Sequence, residues 1–67
     1  MRGMTAKELW CEIYYTIENV GECQVTGELI DLLLTGRPLS MIIRDDHPAL
    51  SYKYNDKVNI YTFFYKK

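Results

Sequence analysis

Apolar positions near the start of the chain fall at helical spacing. Leu9, Trp10, Ile13, Tyr14, Ile17 and Val20 form one stripe at three- and four-residue intervals, and Glu8, Glu12, Thr16 and Asn19 fall away from it. That period predicts an amphipathic helix over residues 6–20. Thr5-Ala6-Lys7-Glu8 supplies its start, a capping box in which the Thr5 hydroxyl and the Glu8 carboxylate accept from orphan backbone donors. Gly21 supplies its stop, because glycine enters the left-handed region without a Cβ penalty.

The segment from Gln24 to Gly36 supports two readings. Leu29, Ile30, Leu33 and Leu34 suit a short helix begun at Thr26 and ended by Gly36 and Pro38, or a buried strand from Glu28 to Leu34. Leucine and the acidic residues favour the helix, and no valine, threonine or aromatic lies within Glu28–Leu34 to favour the strand. From Ser40 onward, β-branched and aromatic residues alternate with turn residues, which predicts strands at Met41–Arg44, Leu50–Tyr54 and Val58–Tyr65. Asp45-Asp46-His47-Pro48 reads as the first connection and Asn55-Asp56-Lys57 as the second. A three-residue second loop, with Asp56 or Lys57 left-handed, sets Tyr54 opposite Val58, Tyr52 opposite Ile60 and Leu50 opposite Thr62. The expected fold is one α+β domain over residues 1–67, with two N-terminal helices packed on one face of a small antiparallel sheet in the order α-α-β-β-β.

Composition removes several alternatives. Apolar residues make up 48% of the chain and aromatics 13%, with a net charge of −1, the opposite of the signature of a disordered chain. No uninterrupted apolar run, Leu32 to Leu34 included, approaches the length of a membrane span. Met1-Arg2-Gly3-Met4 leads into a charged helix without an apolar signal core, so a cytoplasmic protein with reduced cysteines is expected. Cys11 and Cys23 are poorly placed to bridge each other, and with His47 they do not make a zinc ligand set. Neither a metal nor a cofactor is expected.

With that register, Leu50, Tyr52, Tyr54, Val58, Ile60 and Phe64 face the helices, and Ser51, Lys53, Asn59, Tyr61, Phe63 and Tyr65 face outward. An outward row of three rings is the size and type of surface that binds other proteins. Charge divides by half. Residues 1–34 sum to −4 and residues 35–67 to +3, so the helical face around Glu8, Glu12 and Glu18 is a second candidate surface. The main expectation is a small non-enzymatic protein-interaction module. Tyr61, Phe63 and Tyr65 would be its anchors, with Lys53 and Asn59 at the rim or the acidic helical face in their place, and homodimerisation is compatible with either. Its size would suit a phage or mobile-element accessory protein that blocks a host factor. A lysine-ended final strand, Phe63 to Lys67, could also add to a partner's sheet.

The alternative is a nucleic-acid-binding regulator, winged-helix-like or sheet-based, using Arg37, Arg44 and Lys53. Two helices followed by a hairpin overlap part of a winged-helix layout. Against it stand the charge of −1, a pI near 5.7 and a second helix carrying Glu28 and Asp31 with no basic residue. Catalysis has one candidate, the run Arg44-Asp45-Asp46-His47, which reads more simply as a turn.

Overall fold

The computed structural model describes residues 5–34 and 36–66. Helix α1 covers Ala6–Val20, held at its start by the full capping box and closed by Gly21 at φ 102°. Leu9, Ile13 and Ile17 are buried along its stripe, and Trp10 and Tyr14 pack beside them. Val20, expected on the same stripe, is 72% exposed, because the helix ends there and the chain turns toward the sheet.

That turn leads into strand β1, Cys23–Thr26, which the sequence pattern did not suggest. It pairs antiparallel with β3, Ile60–Tyr65, and β3 pairs antiparallel with β2, Leu50–Asn55. The sheet order is β1-β3-β2, so the last strand is the central one. Its register corrects the expected hairpin. Leu50 lies opposite Tyr65, Tyr52 opposite Phe63 and Tyr54 opposite Tyr61, leaving residues 56–59 as the turn. The left-handed residue is Asn59, at φ 54°, and not Asp56 or Lys57.

An odd shift of register turns a strand over. The inner row of the sheet is therefore Cys23 and Val25 on β1, Leu50 and Tyr52 on β2, and Tyr61 and Phe63 on β3, all within or against the core. Phe63 is fully buried and meets the edge of Trp10 with ring centroids 6.0 Å apart. The outward placement of Tyr61, Phe63 and Tyr65 is thus overturned. Gln24, Thr26, Ser51, Lys53, Asn55, Ile60, Thr62 and Phe64 alternate with the inner row and make the outer one.

Between β1 and β2 lie two helices. Helix α2, Gly27–Ile30, agrees with the helical reading of this segment but is short. Backbone bonds from Leu32 to Leu29, from Leu33 to Ile30 and from Leu34 to Asp31 tighten its exit. Thr35, assigned to the end of this helix in the sequence reading, lies outside the described residues. Helix α3, Leu39–Asp46, replaces the strand expected at Met41–Arg44, and it also absorbs Asp45 and Asp46 from the expected connection. Leu39, Ile42 and Ile43 are its buried residues, a three- and four-residue spacing that packing turns into helix despite two β-branched side chains. Pro38 starts it, accepting from Met41 and Ile42 with its carbonyl.

The α+β class and the three-stranded antiparallel sheet agree with the sequence pattern, and the element order is α1-β1-α2-α3-β2-β3. The chain thus places α2 and α3 between β1 and the C-terminal β2–β3 hairpin, whose second strand is the centre of the sheet.

Candidate nucleic-acid interface

Helix α3 buries one stripe and leaves Ser40, Met41, Arg44, Asp45 and Asp46 exposed on the other side. Two aspartates at a helix C-terminus oppose the helix dipole. Arg37, from the segment before α3, compensates them. Its guanidinium places Nη2 2.8 Å from Asp46 Oδ2 and Nη1 3.5 Å from Asp45 Oδ2. The other oxygen of Asp45 accepts from Arg44 Nε at 3.3 Å. Arg37, Asp46, Asp45 and Arg44 form one network along the C-terminal turns of α3, so two of the three basic residues expected for nucleic-acid contact come together. Lys53 stands apart on the outer sheet face, with Nζ 5.9 Å from the centroid of the Phe64 ring.

The turn of the β2–β3 hairpin is the second exposed element. Asn55 accepts from the Lys57 amide with its side chain, an Asx turn that shapes the loop, and Tyr54 donates its hydroxyl to Asn59 Oδ1 at 2.9 Å. The Asn59 carbonyl accepts from the Gly27 amide at 2.8 Å, tying the turn to the first residue of α2. A Cβ on Gly27 would collide with the Asn59 side chain, so glycine allows this close approach. Lys57 and Val58 project from a loop whose backbone is fastened on both sides.

The far end of α3 is anchored to α1. His47 caps α3 with its amide on the Ile43 carbonyl, stacks on Trp10 with centroids 3.9 Å apart and shares a hydrogen bond between Nδ1 and the Tyr14 hydroxyl, 2.7 Å away. Burial pushes the Tyr14 hydroxyl up and holds the His47 imidazole below its usual value against the pull of Asp46. The candidate acid–base run is therefore split. Arg44, Asp45 and Asp46 belong to the helix surface, and His47 is a half-buried anchor.

The remaining protein-binding candidates are scattered. Tyr65 is 36% exposed and donates to Glu18 at 2.7 Å, a bond that raises its hydroxyl above the ordinary value. Tyr61 packs on Tyr54 with centroids 4.5 Å apart. Glu8 is occupied in the capping box, and Glu12 is exposed on α1. Cys11 and Cys23 are both free thiols, and burial pushes Cys23 up. Among the described residues no group of His, Cys, Asp and Glu is arranged to hold a metal ion, and no helix is long and apolar enough to cross a membrane. No protein-family model, curated protein or solved structure matches this chain.

Glu28 lies in α2 and Asp31 just after it, so the acidic segment set against nucleic-acid binding is separate from α3. The sequence signal for α3 as a helix is the three- and four-residue spacing of Leu39, Ile42 and Ile43.

Proposed function

We propose that this protein is a non-enzymatic DNA-binding module that sets α3 into the major groove and rests the hairpin turn on the flanking backbone. The observation that carries this reading is the connectivity. It places an eight-residue helix with an exposed polar side between α2 and the β2–β3 hairpin. An α-helix with its side chains is about 10–12 Å across, and the major groove, about 12 Å wide, admits it. Ser40 and Arg44 offer hydrogen-bonding groups to base edges, and Lys57 at the turn and Lys53 on the sheet offer charge to phosphates. The acidic first half favours an orientation with α1 away from the duplex.

Basic residues are few, so affinity should rest on a small number of phosphate contacts. Fluorescence anisotropy with a labelled duplex pool of random sequence tests this. Two or three phosphate contacts predict a loss of about ten- to fiftyfold in affinity between about 50 and about 200 mM salt. No binding at the lower salt, or equal binding to a single strand of the same length, overturns the reading.

One observation favours a second reading, a protein partner. On α1, Tyr15 is 69% exposed and flanked by Glu12 and Glu18, three residues to either side on the same face. An exposed ring rimmed by carboxylates suits a basic protein surface. Capture of a stoichiometric protein that survives nuclease and is lost in Tyr15→Ser supports it; capture unaffected by Tyr15→Ser rejects it.

A further inference from the structure

The two arginines beside α3 are held differently. Arg37 commits both terminal nitrogens, Nη1 to Asp45 and Nη2 to Asp46, whereas Arg44 commits only Nε, to Asp45, among the described residues. The Arg44 side chain is 72% exposed, against 36% for Arg37. A guanidinium fixed through Nε presents its Nη1 and Nη2 edge as a planar two-donor fork. That fork matches the O6 and N7 acceptors of guanine in the major groove, the commonest specific base contact.

We propose that Arg44 is the base-reading residue of α3 and selects a guanine, that Asp45 is the positioning residue that aims it, and that Arg37 is a tether that reads nothing. This rests on the DNA reading above. Asp45 has a second effect. Its carboxylate repels phosphate, so generic backbone contact near Arg44 is weakened while the contact to a correctly placed guanine is kept. An acidic residue beside a reading arginine thereby shifts the balance from bulk DNA toward sequence. Arg37 and Arg44 together balance Asp45 and Asp46, so the network as a whole carries no net charge.

The experiment is repeated selection from a randomised duplex pool by the full chain and by Arg44→Lys, Arg44→Ala, Asp45→Asn and Arg37→Ala, with circular dichroism to confirm that each folds. Wild type should enrich a motif with one position fixed as guanine. Arg44→Ala should lose that preference, by about ten- to hundredfold at that position, and keep preferences elsewhere, whereas Arg44→Lys, a point donor without the fork, should weaken it by less. Asp45→Asn should blur the guanine while binding bulk duplex more tightly. Arg37→Ala should keep the motif. Retention of the guanine by Arg44→Ala overturns the assignment alone, and a wild type that enriches no motif but binds duplex does the same. A wild type that retains no duplex overturns the DNA reading and the assignment with it.

Discussion

The two ends of the β2–β3 hairpin live in different environments. At the open end, Leu50 and Phe63 are fully buried, and Trp10, Tyr14 and His47 close over them from α1 and the end of α3. At the turn, Tyr54 is 48% and Val58 58% exposed, and order comes from hydrogen bonds within the loop and one to Gly27. One pair of strands is thus core at one end and a projecting arm at the other. Packing specifies the first and local polar geometry the second, so the turn is free to carry surface chemistry without a cost to the fold.

The sharpest way to break this contrast is Phe63→Ala. Emptying a fully buried aromatic site costs about 3–5 kcal/mol, comparable to the whole stability of a domain of this size, about 3–5 kcal/mol. The variant should be largely unfolded by circular dichroism at room temperature. A cooperative melt close to wild type would mean that the inner row is not the core.

Next in size is the cluster that seals the buried end. Tyr14→Phe removes the hydrogen bond to His47 and should cost about 0.5–1.5 kcal/mol in urea denaturation. His47 adds a pH dependence. Its folded-state imidazole lies below the ordinary value near 6.5, so its neutral form is the one the fold prefers. Its contribution is complete above about pH 6.5 and is lost as the pH falls through the folded value. The urea midpoint of wild type should therefore drop more steeply between about pH 7.5 and pH 5 than that of His47→Gln. Parallel profiles would show that the ring is not buried against Trp10 and Tyr14.

The smallest expected effect on stability is at the turn. Lys57→Ala or Val58→Ser should move stability by no more than about 0.5 kcal/mol. On the DNA reading, Lys57→Ala reduces the salt slope by about 1. An unchanged slope would remove the turn from the interface.

How much of this was legible depended on whether the information was local. Helix α1 is written in neighbouring residues, with a capping box, a stripe and a glycine, and its bounds agree with that pattern at both ends. The hairpin register is not local. Both candidate registers put Leu50, Tyr52 and Tyr54 on the core face, and what chooses between Val58, Ile60 and Tyr61, Phe63 as their partners is β1, whose Cys23 and Val25 lie opposite Phe63 and Tyr61. A four-residue strand between two helices leaves little trace in the sequence. Asn59 was a missed clue, since asparagine tolerates the left-handed conformation better than Asp56 or Lys57. In α3, isoleucines at 42 and 43 suggested strand, and burial of one helical stripe overrode that preference. The candidate interface was legible as residues, Arg37, Arg44 and Lys53, but not as a surface. Its placement depends on α3 being a helix and on Asp45 and Asp46 facing Arg37.

The most direct test of the proposed interface is an amide chemical-shift titration of uniformly labelled protein with duplex DNA. Binding through α3 and the turn should concentrate shifts at Ser40, Met41, Arg44 and the loop from Asn55 to Asn59, with α1 residues Glu12, Tyr15 and Glu18 unmoved. Shifts centred on α1, or none anywhere, would contradict it.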